Sequence, residues 1–219
     1  GHTVADIGCG YGAAARWVAS SFGARVTAFT LSAAQAAQAE RAPAPDRGAV
    51  RYLVADWLAN ELPDASLEAA MAIESLAHMA DKPGFFRQLE RTLKPGGRAA
   101  LACWLVADDP SWFERRILEK ICEEGRLPGM GTIADYTTLA TAAGLRVVGH
   151  RDLTLEVERT WWIIARRLLA GLLTRRRYIS FLLNRAFRER VFLFTLPRLM
   201  LAYRTGAMRY GLLWLQKPE

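Results

Sequence analysis

A glycine-rich turn follows the first apolar run of this chain. Residues 4–12 read Val-Ala-Asp-Ile-Gly-Cys-Gly-Tyr-Gly, so Asp6 precedes the first of three alternate glycines by two positions. Glycine lets a backbone bend sharply and approach a ligand closely. Open α/β sheets bind ligands at the carboxyl ends of their strands, and a carboxylate there suits a cationic amine better than a phosphate. The turn therefore favours a ligand-binding strand–turn–helix unit over a tight packing turn beside an incidental acid.

Short apolar runs alternate with amphipathic stretches along the chain. The pattern predicts strands at 3–7, 25–30, 50–55, 67–73, 98–104, 146–153 and 208–215. It predicts helices at 13–22 (closed by Gly23), 32–41, 81–93 (with Asp81 as N-cap and Phe86, Leu89 and Leu93 on one face), 110–124 and 134–143. Strands that alternate with helices indicate crossovers and a sheet covered on both sides. We therefore expect an α/β fold with a doubly wound, mostly parallel seven-stranded sheet.

A long helical stretch, residues 160–203, separates the last two predicted strands. Its residues Leu183, Phe187, Val191 and Phe194 are spaced for one apolar helical face. Arginines interrupt every apolar run before it reaches the roughly 18 residues that a membrane span requires. We expect a core at 1–158, a helical lid insert at 159–205 and a final core strand at 206–219.

The positive charge of the chain is concentrated in its last third. Residues 151–219 carry 14 basic and 5 acidic residues, whereas the first 150 carry 15 and 17. These arginines suit a solvated face, an anionic substrate or the surface of an acidic membrane. Nucleic acid is disfavoured because the basic residues alternate with core-type residues and form no known binding module.

The three cysteines are widely scattered, at positions 9, 103 and 122. Their spacing fits neither a disulfide framework nor a metal site. No secretory leader opens the sequence. We therefore expect a reducing compartment, the cytoplasm, and no bound metal.

Several motifs, in order, resemble those of a known family. The glycine turn resembles motif I of class I S-adenosylmethionine-dependent methyltransferases. Residues 30–35, Thr-Leu-Ser-Ala-Ala-Gln, resemble the T-L-S-x-x-Q signature of the tocopherol, sterol and cyclopropane-fatty-acid branch. Residues 74–79 (Glu-Ser-Leu-Ala-His-Met) and 94–98 (Lys-Pro-Gly-Gly-Arg) resemble the E-S-x-x-H-M and P-G-G-R segments of γ-tocopherol methyltransferase-like enzymes. The resemblance spans nearly the whole chain and implies a Rossmann-like sheet and S-adenosylmethionine as cofactor.

The chain departs from the family at its beginning. Family members usually carry several tens of helical residues before motif I as part of the active-site cover, whereas motif I begins here at residue 3. Either the sequence is a shortened form, or other elements supply the cover.

The resemblance implies a set of cofactor-binding residues: Asp6, Gly8, Cys9, Gly10, Gly12, Thr30, Leu31, Gln35, Asp56, Trp57 and Glu74. The glycine turn is expected against the amino-acid part of the cofactor, with Asp6 ordering the turn or binding the amine. Leu31 and Gln35 are expected to border the ribose and adenine, and Thr30 stands where dinucleotide sites carry an acid. Asp56 is expected to accept from the adenine amino group beside the Trp57 backbone. The alternative for Asp56 is a turn or helix cap.

His78 is the candidate catalytic residue, as a base or orienting group on the acceptor side. Imidazole titrates near neutral pH, and His78 follows the fourth predicted strand. Glu74 is expected either to orient His78 or to contact the charged end of the cofactor, and the alternative for His78 is a structural histidine. Trp161 and Trp162 are the candidate substrate-binding residues, because aromatic residues in the insert suit an apolar acceptor pocket.

The sequence therefore predicts methyl transfer to a small apolar, aromatic or isoprenoid acceptor, at oxygen, carbon or nitrogen. The alternative is a catalytically silent methyltransferase-like scaffold that binds a partner through the basic helical insert. A nucleotide-dependent oxidoreductase is disfavoured by the G-x-G-x-G spacing and by the missing acid after strand two. A serine hydrolase is disfavoured because the chain has no G-x-S-x-G elbow.

Overall fold

The computed structural model describes residues 1–174 and 191–219 of the chain. The strands are β1 (Thr3–Ile7), β2 (Arg25–Thr30), β3 (Ala49–Val54), β4 (Leu67–Ile73), β5 (Leu93–Val106), β6 (Arg146–Asp152) and β7 (Met208–Gln216). The helices are α1 (Ala13–Phe22), α2 (Ala33–Glu40), α3 (Lys82–Thr92), α4 (Trp112–Gly125), α5 (Ile133–Ala142), α6 (Thr154–Thr174) and α7 (Val191–Thr205). Short 3-10 turns, Trp57–Ala59 and Leu76–His78, follow β3 and β4.

The seven strands form one sheet in the order β3-β2-β1-β4-β5-β7-β6. The neighbours β3-β2, β2-β1, β1-β4 and β4-β5 are parallel. Strand β7 runs antiparallel to β5. The Gly96 N–H donates to the Lys217 carbonyl at 3.0 Å and the Ala107 N–H donates to the Ala207 carbonyl at 2.9 Å, so the start of one strand lies beside the end of the other. The predicted doubly wound, mostly parallel sheet is confirmed. Its order brings the carboxyl ends of β1 to β4 to one edge.

Small side chains hold α1 close to the sheet. Ala15 and Ala19 of α1 are fully buried and belong to one core cluster with Val26 and Ala28 of β2. Gly23 ends the helix in the left-handed conformation, at φ 63°, where the absence of a side chain avoids a steric penalty. The predicted bounds of this helix and its terminating glycine are confirmed.

Helix α3 begins and packs as its sequence predicts. The Asp81 side chain accepts a hydrogen bond from the Gly84 N–H at 2.7 Å, which satisfies one of the free donors of the first turn. Phe86 and Leu89 are fully buried on one face of the helix. The prediction that Leu93 continues this face is wrong, because the helix ends at Thr92 and Leu93 begins β5. Phe85 is buried as well, so the apolar face is wider than predicted.

Strand β5 begins earlier than the prediction of residue 98. It starts at Leu93, which pairs with Leu67 of β4, and the next pair is Ala69 with Arg98. The four residues between them form an irregularity inside the strand, with Gly96 at φ 75°. A proline-glycine segment usually marks a turn between elements, but β4 pairs with the chain on both sides of this one.

The chain divides into two compact units. The first comprises residues 1–103, 133–151 and 212–219, and the second comprises 104–132 and 152–211. The helical stretch between β6 and β7 starts at Thr154, six residues before its predicted start. The second unit also takes in residues 104–132, which the sequence assigned to the core.

Within the second unit, polar contacts join α4 to α7. The Glu124 carboxylate accepts a hydrogen bond from the Thr195 hydroxyl at 2.6 Å and forms an ion pair with Arg198. The predicted apolar face falls outside the described residues at Leu183 and Phe187. The side chains of Val191 and Phe194 fall outside them too. No helix within 1–174 and 191–219 combines the length and the apolar character that crossing a bilayer requires.

Candidate functional site

The glycine turn after β1 adopts a conformation that suits glycine. Gly8, Gly10 and Gly12 have φ values of 80°, 54° and 70°, in the left-handed region that side chains disfavour. The N–H groups of Gly8 and Cys9 both donate to the carbonyl of Phe29 in β2, at 3.0 and 2.8 Å. The turn is therefore held against the end of the neighbouring strand.

The three glycines differ in what surrounds them. A Cβ atom on Gly8 would lie 2.3 Å from the Cβ of Ser75, and one on Gly12 would lie 2.4 Å from the ring of Tyr52. A Cβ on Gly10 would meet no other atom of the protein within 4 Å. Gly8 and Gly12 thus allow close packing, whereas Gly10 faces open space in which a ligand can reach the backbone.

A cleft of about 400 Å³ lies at the carboxyl ends of β1 to β4, within the first compact unit. Nine predicted site residues line it: Gly8, Gly10, Thr30, Leu31, Gln35, Asp56, Trp57, Glu74 and His78. Six further residues complete the lining: Phe29, Ser32, Ala55, Ile73, Ser75 and Met79. Parallel strands thus collect residues from four separate segments into one site.

Asp6 and Cys9 lie behind the glycine turn and do not line the cleft. Asp6 is buried and accepts a hydrogen bond from the Ala15 N–H, and burial raises the pKa of its carboxyl to about 7. Its Oδ2 atom has no hydrogen-bond partner within the part of the chain described. Burial and then the charge of Asp6 raise the pKa of the Cys9 thiol to about 11, so this thiol is a packing group. The position of Asp6 fits the ordering of the turn.

Residues 30–35 form one hydrogen-bonded unit at the end of β2. The Thr30 hydroxyl donates to the Gln35 Oε1 atom at 2.8 Å and accepts from the Ser32 N–H at 3.2 Å. The Ser32 hydroxyl caps α2 by accepting from the Gln35 N–H at 3.3 Å. The Gln35 amide nitrogen is left as a hydrogen-bond donor at the cleft, beside the exposed side chain of Leu31.

Asp56 and Trp57 form the corner after β3. The Asp56 Oδ1 atom accepts from the Leu58 N–H at 2.9 Å, so this residue is the cap that the sequence allowed as an alternative. Its second oxygen and the Trp57 N–H have no partners among residues 1–174 and 191–219. The Trp57 indole packs edge-on against Phe29, with ring centroids 5.4 Å apart. The corner is rigid and still presents an acceptor and a donor.

The end of β4 supplies the charged wall of the cleft. Glu74 has a φ of 58°, an uncommon conformation for a residue with a side chain, which tends to mark functional sites. The Ser75 hydroxyl donates to the Ile7 carbonyl at 2.5 Å and ties this corner to β1. Glu74 and His78 are both exposed, and no hydrogen bond between their side chains occurs in the structure as described. An orienting role of Glu74 toward His78 therefore has no support, and its carboxylate stays available to a cation.

The two predicted substrate-binding tryptophans lie in the second unit. The ring of Trp161 packs between Trp104 and Tyr203, with centroids 6.4 and 6.1 Å away. Trp162 is exposed on the other side of α6. The assignment of both residues to the acceptor, and of the insert as a lid, stays a prediction.

Sequence reasoning did not name the six further lining residues of the cleft as site residues, although Ser32, Ser75 and Met79 stand inside the quoted motifs. Nothing in the sequence around Ser75, which faces Gly8, or around the apolar residues near Glu74 indicates a cleft until the strand order is known. Ile73 is the last residue of β4 and is partly exposed at the cleft.

Comparison with known proteins shows what the chain is similar to. A model described as a methyltransferase domain matches residues 5–101, which include every residue of the cleft. The chloroplastic tocopherol O-methyltransferase of Arabidopsis thaliana is 31% identical over 225 residues, which cover 98% of this chain and 63% of the plant protein. Residues 5–101 therefore match the methyltransferase-domain family, and the chain as a whole is similar to tocopherol methyltransferases.

Two further proteins are similar to this chain. The 2-methyl-6-phytyl-1,4-hydroquinone methyltransferase of Synechocystis is 32% identical over 149 residues, which cover 66% of this chain and 46% of that protein. A solved cyclopropane synthase from Mycobacterium tuberculosis has the same fold, with a TM-score of 0.83, 23% identity, and coverage of 99% of this chain and 78% of that one. The chain spans 63% and 61% of the length of the plant relatives it matches.

The cleft fits S-adenosylmethionine, the cofactor of class I methyltransferases. That molecule carries a positive sulfonium, an ammonium, a ribose diol and an adenine. The cleft offers the Glu74 carboxylate for positive charge, the Gln35 amide nitrogen for a hydroxyl, and the Asp56 oxygen for an amino group. The open space at Gly10 admits a ligand against the backbone. The residues present therefore suit these four groups of the cofactor.

Proposed function

We propose that this protein transfers a methyl group from S-adenosylmethionine to a small apolar acceptor of aromatic or isoprenoid type. The observation that carries the proposal is the single cleft into which the glycine turn, the Thr30–Gln35 unit, the Asp56 corner and the Glu74–His78 segment all project. When bound, the cofactor supplies an electrophilic methyl group on a sulfonium.

The residues of the cleft act mainly by positioning. A displacement at a methyl carbon needs the acceptor atom in line with the bond that breaks, so orientation supplies much of the rate enhancement. Gln35 and Asp56 are hydrogen-bonded within their own segments, and this holds their remaining polar atoms in place. The Glu74 carboxylate lowers the energy of positive charge in the cleft.

His78 is the group in the cleft that suits proton removal from the acceptor. Its imidazole is exposed there, and general bases contribute about a hundred- to ten-thousandfold in rate. A hydroxyl acceptor gives its proton to the imidazole nitrogen as the oxygen–carbon bond forms. If the methyl group is accepted by a carbon or nitrogen atom that must lose a proton, His78 removes that proton in the same way.

The names of the relatives support the class of acceptor. They include methyltransferases of tocopherol, of a phytyl hydroquinone and of sterols, all of which are apolar molecules. Trp161 and Trp162 supply aromatic surface in the second unit for an acceptor of this kind. The cytoplasmic location predicted from the scattered cysteines is part of this proposal.

The first experiment separates cofactor binding from turnover. Calorimetry should show binding of S-adenosylmethionine and S-adenosylhomocysteine but no binding of NADH. Gln35→Ala should weaken that binding up to about tenfold through the loss of one or two hydrogen bonds. Gln38→Ala, which changes an exposed glutamine of the same helix outside the cleft, should leave the affinity unchanged.

The second experiment measures methyl transfer. Isotope-labelled S-adenosylmethionine should label at least one of γ-tocopherol, 2-methyl-6-phytyl-1,4-hydroquinone and a sterol, and mass spectrometry of the product locates the new methyl group. Cofactor binding without transfer to any apolar acceptor would favour the silent scaffold that binds a partner through the basic insert.

A further inference from the structure

The outward side of helix α6 carries an exposed apolar line. Leu155, Trp162, Leu169 and Leu173 are spaced by seven, seven and four residues. At about 100° per residue these positions fall within a sector of about 40°. Their exposed fractions are 73%, 51%, 59% and 80%. Because an apolar stripe of this length is costly to expose to water, it marks a contact surface.

This line is distinct from the face that α6 uses for folding. Trp161, about 100° around the helix from Trp162, packs between Trp104 and Tyr203. The side of the helix opposite the line buries Gly171. Helix α6 therefore packs through other residues than those of the outer line. Contacts among the described residues of the second unit do not explain the line.

Positive charge accompanies the outer line. Arg159 and Arg166 are exposed within about 40° of it, by the same helical geometry. Neither makes an ion pair or a side-chain hydrogen bond with any described residue. The acidic residues of α6, Glu156 and Glu158, both precede Arg159, so the following fifteen residues carry positive charge alone.

We propose that the outward line of α6 binds the surface of an anionic lipid bilayer. A helix lying in the interface inserts an apolar side among the acyl chains while its basic residues meet acidic headgroups. Tryptophan favours the headgroup level. Arginine beside an apolar line suits this setting, since its long stem lies along apolar surface while its charge stays in the headgroup layer.

The charges favour a bilayer over another copy of this chain. Pairing two such faces would bring Arg159 and Arg166 of both copies into one interface, where only Glu158 of each copy lies close to the line. A bilayer containing acidic lipid offers acyl chains to the leucines and negative headgroups to the arginines at the same time. If the proposed function is correct, the contact also brings the protein to the phase in which an apolar acceptor dissolves.

The test is binding of the full chain to lipid vesicles, without cofactor or acceptor. Vesicles of phosphatidylcholine with 30% phosphatidylglycerol should pellet the protein, and pure phosphatidylcholine should bind it more weakly. The double variant Leu169→Glu/Leu173→Glu should lower the partition coefficient at least tenfold, because burying one leucine side chain already corresponds to about that factor. Arg159→Gln and Arg166→Gln should each lower it about fivefold, and added salt should reduce this contribution.

A matched control and a measurement of mass complete the test. Phe22→Glu places the same charge at an exposed apolar position of α1, in the first unit, and should leave vesicle binding unchanged. Circular dichroism checks that each variant is folded. Unchanged binding of a folded Leu169→Glu/Leu173→Glu variant, or no binding of the wild type to acidic vesicles, overturns the proposal. A wild-type dimer that the double variant converts to a monomer, measured by light scattering, assigns the face to a second copy instead. None of these outcomes bears on methyl transfer, which is measured separately.

Discussion

Asp6 should make the folded protein less stable as the pH rises from about 4 to about 7, and Asp6→Asn should abolish that dependence. Burial raises the pKa of the Asp6 carboxyl from its ordinary value of 3.8 to about 7. The folded chain therefore keeps a proton that the unfolded chain has released. Stability contributed by that proton is complete below pH 3.8 and is lost as the pH rises through 7. A difference of about three pH units, at about 1.4 kcal/mol per unit, corresponds to about 4 kcal/mol.

The measurement is urea unfolding of the cofactor-free chain at intervals from pH 4.5 to 8, for the wild type and Asp6→Asn. The free energy of unfolding of the variant minus that of the wild type should rise by several kcal/mol across this range. Asp46→Asn, an exposed acid in the loop before β3, is the control and should give a flat difference. Parallel curves for Asp6→Asn and the wild type would show that Asp6 is ionised in the folded protein. The burial argument would then be wrong.

Three further predictions concern the cleft and the second unit. Gly8→Ala should destabilise the fold by about 3 kcal/mol, because the residue has a left-handed φ and its new Cβ would contact Ser75. Gly10→Ala should destabilise it by only about 1–2 kcal/mol, from backbone strain alone, yet it should lose more cofactor affinity than Gly8→Ala. Urea unfolding measures the stabilities and calorimetry the affinities. His78→Gln should lower the methylation rate about a hundredfold or more while leaving cofactor affinity unchanged; full turnover in the variant between pH 6 and 8 would leave positioning as the sole source of catalysis. Trp162→Ala should raise the KM of an acceptor supplied without lipid vesicles several-fold without changing the cofactor Kd, so that the effect reports the lid and not a bilayer contact. Steady-state kinetics with calorimetry would contradict the lid if the two constants moved together.

Elements with strong local signals could be predicted from the sequence alone. The bounds of α1, β2 and β4 match the prediction residue for residue, because alternating apolar residues, a helical period and a terminating glycine act within a few residues of each other. The cap at Asp81 follows for the same reason, because its partner Gly84 lies three positions along the chain.

Other features depended on distant partners. Strand β5 extends through a proline-glycine segment because β4 pairs with the chain on both sides of it. Helix α6 begins six residues before the prediction, at Thr154, whose hydroxyl accepts from the Tyr210 N–H at 3.0 Å. A partner 56 residues away leaves no local trace in the sequence.

The composition of the cleft shows the same division. Nine of its residues were predicted from the sequence through the resemblance of its motifs to the methyltransferase family, because each motif is a short run of neighbouring residues. Only the tertiary structure decided that Asp6, Cys9 and Gly12 turn away from the cleft while Ile73, Ser75 and Met79 line it. Alternate residues of a strand or tight turn face opposite sides. Which of the two sides faces the cleft depends on the elements that pack against the other side. The burial of Asp6 beneath the glycine turn, and with it the raised pKa, is a property of that packing.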